Sequence, residues 1–166
     1  MTAVRDIPTA HTPPGGYGDD MPPPILAGCT DPLADGAPDL RGTWKVVDGE
    51  SDGAPLPADH PIRGHVERIE QAGDRVVVTS TGIIHDMVAD GTYESGVNDV
   101  MAADLTTPIV VAASFEDGVL VLRPRDLPGV EVRRWREGEQ MVWRYDRMFT
   151  TRLERIDDTP GPVDAS

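Results

Sequence analysis

The chain of 166 residues is poor in several residue types, and each shortage excludes a class of protein. Its single cysteine, Cys29, rules out an internal disulfide framework and, with an acidic, proline-rich segment before it, favours a cytoplasmic location. Lys45 is the only lysine, and the net charge of −14 argues against partners such as nucleic acid or an anionic membrane, which require basic surface. No apolar run approaches the ~20 residues of a membrane-spanning helix.

Proline is distributed unevenly and divides the chain into three parts. Residues 1–40 hold eight of the 16 prolines, and they carry a net charge of −5. Such a Pro/Gly/Asp-rich segment buries too little apolar surface to offset its ordering entropy, so we predict an extended N-terminal arm. All three tryptophans lie within residues 41–156, the predicted domain, and residues 157–166 form a predicted disordered tail. Arginine in place of lysine, with abundant glycine, proline and valine, is typical of a GC-rich bacterial source.

Short β-rich runs separated by glycine turns fill the predicted domain. They recur every ~8–12 residues, and the connections after residue 62 are short, which favours antiparallel pairing of consecutive strands. Long meanders of this kind avoid exposed edges by closing. The sequence therefore predicts an all-β fold, an antiparallel up-and-down meander barrel of about 8–10 strands. The candidate strands are 42–47, 65–71, 75–80, 82–88, 92–95, 99–104, 109–115, 119–125, 130–137, 140–147 and 149–156.

The first and last runs carry short motifs of a known superfamily. "GTWK" opens the first strand at Gly42, and "TTRLERI" forms the last. This pattern resembles the calycin superfamily, the lipocalins and fatty-acid-binding proteins. The resemblance implies a barrel floor of Gly42 and Trp44 covered by Arg155 or Arg152, and in the fatty-acid-binding branch Arg152 would also grip a ligand carboxylate. Proline in the segment 48–63 excludes the two-helix lid of that branch.

The stretch "GIIHDMV" contains the most informative candidate for chemistry. Side chains alternate along a strand, so Ile83, His85, Met87 and Ala89 share one face, while Asp86 lies on the other. The first face has no charged residue and is the predicted interior. His85 would then be a polar anchor or general acid/base in a cavity, or a tolerated histidine bonded to a neighbouring strand.

The arginine-rich strands permit two interpretations. Trp143 and Tyr145 share a face opposite Arg144, and Arg152 lies on the last strand. An inward arginine would bind an acidic ligand end, with Trp143 and Tyr145 as apolar walls. Alternatively, these arginines form solvated cross-strand ion pairs.

These observations lead to a predicted function with two alternatives. We expect intracellular binding of a small, largely apolar molecule, with a polar or acidic end, inside the barrel. The first alternative is a tailoring enzyme of the isomerase, cyclase or dehydratase type, using His85 as acid/base with Tyr93 or Glu94 assisting; binding is favoured over catalysis. The second is a structural or interaction barrel filled by its own side chains. No cofactor or metal is predicted, and the oligomeric state stays open. The predicted ligand-binding residues are His85, Met87, Tyr93, Trp143, Tyr145, Arg144 and Arg152.

Overall fold

The computed structural model describes residues 3–157, with only the backbone of Asp157. This part of the chain is almost entirely strand and turn, and its helical content is a single 3-10 turn at Val4–Asp6. Within these residues no helix is long and apolar enough to cross a membrane. The strands are β1 (Gly42–Ser51), β2 (Ala54–Pro55), β3 (Val66–Ala72), β4 (Arg75–Ser80), β5 (Ile83–Val88), β6 (Val97–Val100), β7 (Pro108–Glu116), β8 (Val119–Pro124), β9 (Val132–Glu137), β10 (Gln140–Tyr145) and β11 (Phe149–Asp157).

The strands form one antiparallel sheet that curls into a nearly closed barrel, which confirms the predicted fold class. Its order is β5-β4-β3-β1-β11-β10-β9-β8-β7-β6, with β2 paired to β1. Long strands that follow one another in the chain are therefore paired, with one exception. The exception is β5 and β6, which form the two edges of the sheet and lie side by side where the barrel closes. Asp117 and Gly118 between β7 and β8 both have positive φ, +51° and +78°, as a type I′ hairpin turn requires.

One predicted strand is wrong. Residues 92–95 form turns, because Asp90 accepts hydrogen bonds from both the backbone N–H and the hydroxyl of Thr92. Asn98 closes the same turn by donating to the carbonyl of Tyr93. The candidate strand 99–104 is also shifted, since β6 ends at Val100 and turns follow it.

The barrel interior is filled by apolar and aromatic side chains from alternate strand positions. The buried members are Leu40, Trp44, Val46, Leu56, Ile69, Val76, Met87, Val97, Val111, Ala113, Leu120, Leu122, Val132, Met141, Trp143, Phe149 and Leu153. Two of them differ in origin from the rest: Leu40 precedes β1, and Leu56 follows β2. The remaining buried members come from strands, so the ladder fixes the positions of most of the core.

A proline-containing loop, residues 52–65 with the two-residue strand β2 inside it, stands where the resemblance would put a two-helix lid. The loop has turns and no helix, as its prolines predict. Leu56 is 3% exposed and enters the core over Gly49, where an added Cβ would lie 2.6 Å from Leu56 Cδ1. The Arg63 guanidinium donates to the carbonyls of Leu56 and Pro57 and so connects the two ends of the loop to each other.

Residues 3–40, the arm, run over the outer face of β3, β4 and β5. Leu26 of the arm joins Ala72, Val77 and Ile84 in a second buried cluster. Charged side chains of the sheet bind the arm through its backbone. Glu70, for example, accepts hydrogen bonds from the N–H groups of Ile25 and Leu26. The predicted tail, 157–166, lies outside the described residues apart from Asp157.

Candidate functional site

A charged pair lies inside the barrel among the apolar side chains. Arg134 of β9 donates from Nε to Glu67 Oε2 at 2.8 Å and from a terminal nitrogen to Oε1 at 3.1 Å. The two side chains are 7% and 1% exposed. Such a bidentate pair joins β9 to β3, which are not neighbours in the sheet, so the pair spans the interior.

His65 and Trp143 complete this interior cluster. The Nε2 atom of His65 lies 2.9 Å from Glu67 Oε1, and its ring centroid lies 5.0 Å from that of Trp143. The Arg134 guanidinium carbon lies 4.9 Å from the centre of the Trp143 ring, within cation–π distance. We call Glu67, Arg134, His65 and Trp143 the interior cluster.

The ionisation of Glu67 is fixed by its neighbours. Burial raises the pKa of its carboxyl, but attraction to Arg134 and the hydrogen bonds from His65 and Arg134 outweigh burial and hold the pKa at about 2. Glu67 is therefore a carboxylate at neutral pH. Its negative charge offsets that of Arg134, so the pair as a whole is neutral.

Within this cluster, Trp143 provides a fully buried hydrogen-bond donor that has no partner in the part of the chain that the structure describes. The side chain is 7% exposed and lies in the core, yet its Nε1–H has no acceptor in the described residues. Trp44 Nε1 donates to the carbonyl of Leu40 at 2.8 Å, and Trp135 Nε1 donates to Glu137 at 2.9 Å. A buried donor without an acceptor costs roughly 1–3 kcal/mol, which an acceptor on a ligand would recover.

His85 lies on the inner face of β5, as strand parity predicts for Ile83, His85 and Met87. Its Nε2 is 2.9 Å from the carbonyl oxygen of Val100. Because a carbonyl can only accept, Nε2 carries the proton and Nδ1 of the neutral ring is an acceptor. Burial, joined by the charge of Arg134, lowers the pKa of His85 below 6.5 against the opposing effects of Val100 and Asp99. The ring is therefore neutral at pH 7.

The structure separates the other predicted ligand-binding residues into two groups. Met87 and Trp143 are buried in the core, and Tyr145 packs against it half-buried. Arg144 is exposed on the opposite face of β10 and donates to the carbonyl of Asp146. Arg152 lies outside the barrel as well, paired with Glu137 at 2.8 Å.

Tyr93 is 40% exposed on the turn before β6, away from the core, and Glu94 beside it is exposed too. These placements correct the expected site in two respects. Strand alternation turns Arg144 and Arg152 outward, because Trp143 and Thr151 occupy the inner positions next to them. The arginine that pairs with a buried acid inside the barrel is Arg134 instead.

Two arginine side chains pack on the ring of Trp44 at one end of the barrel. The guanidinium carbon of Arg155 lies 4.8 Å from the centre of the Trp44 ring, and that of Arg136 lies 5.4 Å from it. Trp44 is fully buried beside Gly42. The φ of Gly42 is +138°, a value that glycine adopts and residues with a side chain rarely do. The three residues Gly42, Trp44 and Arg155 thus meet at one end.

Sequence reasoning missed Glu67, His65 and Arg134. Parity contained a partial signal, since Arg134 shares a strand face with Val132, and Glu67 shares one with Ile69. A charge at an inward position is expensive unless it is paired, so each residue pointed to a partner across the barrel. Nothing in the sequence indicated which partner it was, because the two residues lie 67 positions apart.

Two cavities of the described residues lie outside the core. One, of about 250 Å³, lies between the arm and the strands, and Val4, Ile7, Asp86 and Met87 are among its lining residues. The other, of about 450 Å³, is a polar surface groove lined by Arg144, Arg147 and several acids. Among residues 3–157, no three or more His, Cys, Asp or Glu side chains are grouped so that they could hold a metal ion.

No family model and no curated protein matches this sequence. Among solved structures, human cRBP IV, a cellular retinol-binding protein, is similar with a TM-score of 0.52 and 14% sequence identity. The similarity covers 70% of this chain and 98% of that one. At this identity the likeness establishes the fold alone, a nearly closed antiparallel β-barrel.

Proposed function

We propose that the barrel binds a small, largely apolar molecule whose polar end accepts a hydrogen bond from Trp143 Nε1. The observation that carries this proposal is the unpartnered indole N–H inside the core. Apolar side chains provide affinity in such sites, and a few placed polar groups orient the ligand. Phe149, with its ring centroid 5.1 Å from that of Trp143, would form an aromatic wall beside the donor.

The charge balance of the interior cluster favours a neutral polar end over an acidic one. The Arg134 guanidinium already makes two hydrogen bonds to Glu67, and a ligand carboxylate would have to compete with that buried anion. A carbonyl or ether oxygen needs only the free donor of Trp143. We therefore expect a ketone, aldehyde or ester to bind more tightly than a carboxylate of the same shape.

An occupant has to replace part of the side-chain packing, and some core members are suited to this. Met87 and Met141 are unbranched and can adopt other rotamers at low cost. Leu56 and Ile62 come from the loop and not from the ladder, so displacing them breaks no pairing between the long strands. These four side chains are the ones we expect to move.

The packing favours a second candidate, a structural or interaction barrel that holds no ligand. In that case the large buried side chains would be the permanent filling of the barrel, and the Trp143 donor would be a tolerated cost. Catalysis by His85 is a further alternative, since its neutral ring keeps Nδ1 as a base. Catalysis would also require a bound substrate, so ligand binding has to be tested before catalysis.

An equilibrium titration with prodan, a neutral naphthyl ketone, tests the proposal. Its fluorescence should shift to the blue on addition of the protein. Trp143→Phe should weaken binding roughly fivefold to tenfold, the value of one net hydrogen bond. Trp135→Phe is the matched control, because the indole of Trp135 lies outside the barrel and donates to Glu137, and it should leave affinity unchanged.

Two further measurements separate the candidates. 2-Acetylnaphthalene should displace prodan at lower concentration than 2-naphthoate, which tests the neutral end. Native mass spectrometry of the protein purified from its own host should find a co-purifying small molecule. No binding of prodan and no co-purifying molecule would instead support the filled barrel.

A further inference from the structure

The barrel has one incomplete junction, the seam between β5 and β6. Within the described residues these two strands share no ladder pairing, although every other junction around the barrel does. Val88 N–H donates to the carbonyl of Ser95 just before β6, at 2.7 Å. At the other end, the side chain of His85 reaches the carbonyl of Val100. These two hydrogen bonds take the place of a regular ladder between β5 and β6.

The arm fills this seam with a single hydroxyl. Thr12 Oγ1 donates to the carbonyl of Ile84 at 3.0 Å and accepts from the N–H of the same residue at 3.1 Å. The backbone N–H of Thr12 donates to Asp99 Oδ2 of β6 at 2.8 Å. Thr12 thus satisfies the unpaired edge of β5 and ties it to β6, which is the task of a missing strand residue.

A buried ion pair holds the rest of the arm segment in place. Arg75 donates from Nε to Asp86 at 2.8 Å, and its other nitrogens donate to the carbonyls of Val4, Ile7 and Pro8. Asp86 in turn accepts from the N–H of Ala10 at 2.9 Å. These contacts are noncovalent and go to arm backbone, so the segment can leave as a unit by local opening.

Beneath this segment lies the cavity of about 250 Å³, and Met87 connects it to the interior. Met87 lines the cavity and also belongs to the core cluster. Met87 is therefore the residue that the space under the arm shares with the barrel core. His85, two residues earlier on the same face, lies within the electrostatic reach of Arg134 in the interior cluster.

We propose that the β5–β6 seam is the entrance to the barrel and that arm residues 4–12 are the strap that closes it. The proposal rests on the proposed ligand-binding function. Release of Thr12 and movement of Met87 would open a path from solvent past His85 to Arg134 and Trp143. The 52–65 loop covers the barrel but is not the route.

The test compares Thr12→Val with Thr43→Val in the full chain. Both substitutions remove one hydroxyl and keep the shape, but Thr43 lies on β1, away from the seam. Stopped-flow mixing with prodan should show roughly fivefold faster association for Thr12→Val, as expected when about one net hydrogen bond no longer holds the strap. Thr43→Val should associate at the wild-type rate.

Hydrogen exchange gives a readout that does not depend on a ligand. The amide of Ala10, whose acceptor Asp86 is unchanged in both variants, should exchange roughly fivefold faster in Thr12→Val. The amide of Val142 on β10 should exchange equally in all three proteins, which excludes a general loss of stability. An unchanged exchange rate at Ala10 in Thr12→Val would contradict the proposal that Thr12 holds the strap closed.

The failures can be told apart. Faster exchange at Ala10 with unchanged association of prodan would overturn the entrance and leave ligand binding intact. Absence of prodan binding together with absence of a co-purifying molecule would overturn both the proposed function and the entrance, whereas the exchange result would still decide whether Thr12 holds the strap.

Discussion

Two arginine–glutamate pairs of this barrel have the same chemistry and different surroundings. Arg134 and Glu67 meet at 2.8 Å inside the barrel, where their side chains are 7% and 1% exposed. Arg152 and Glu137 meet at the same distance on the outside, where they are 43% and 44% exposed. Water screens the outer pair, whereas the inner pair exists only because each charge compensates the burial of the other. The position of a pair relative to the barrel wall, and not its contact distance, therefore decides how much it contributes to stability.

Removing the arginine of each pair should separate them most clearly. Arg134→Met leaves the Glu67 carboxylate buried without its main partner, and we expect a loss of about 3–5 kcal/mol in the free energy of unfolding. Arg152→Met, the matched change outside, should alter stability within experimental error. Urea denaturation of both variants measures this. Equal losses would show that burial does not distinguish the two pairs.

The inner pair should also govern stability in acid. The folded pKa of Glu67 is about 2, below the 4.5 of an unperturbed glutamate, so the unfolded chain binds its proton first as pH falls. The stabilisation is complete above pH 4.5 and is lost as the pH falls toward 2, with a size of about 3 kcal/mol. Glu67→Gln should flatten the dependence of unfolding free energy on pH in this window, whereas Glu137→Gln should leave it in place. Identical acid slopes in Glu67→Gln and wild type would contradict the assignment.

A smaller effect is expected from His85. Its folded pKa is lowered, so the unfolded state takes up the proton first as the pH falls through 6.5. Stability should therefore decrease modestly below pH 6.5, and the ring should titrate below that pH in NMR. Replacing His85 with Gln should remove this part of the pH dependence. A His85 pKa that is not below 6.5 would contradict burial as the dominant effect on this ring.

The strands and their faces could be predicted because their physical causes are local. Alternation placed Ile83, His85 and Met87 inside and Asp86 on the other face, and turn residues marked most strand ends. The same alternation argued against Arg144 as an interior ligand, since it opposed Trp143. Arg144 and Trp143 are adjacent on one strand, so their side chains point to opposite faces and cannot both lie inside the barrel.

The interior cluster and the arm could not be predicted because their causes are not local. Glu67 and Arg134 meet only when the barrel brings β3 and β9 face to face, and no pattern in either strand encodes that register. The arm has no periodicity of its own. Its order depends on buried charges of the sheet, such as Arg75 and Asp86, that look like ordinary surface residues in the sequence.

Ligand binding at Trp143 can be observed directly through the three indole N–H groups in a ¹H–¹⁵N NMR spectrum. Trp44 and Trp135 have acceptors within the protein, and Trp143 has none among the described residues. On addition of prodan, the Trp143 Nε1–H signal should move downfield as it gains an acceptor, while the other two stay in place. A Trp143 signal that does not move while prodan is bound, or a shift confined to Trp135, would contradict ligand binding inside the barrel at this donor.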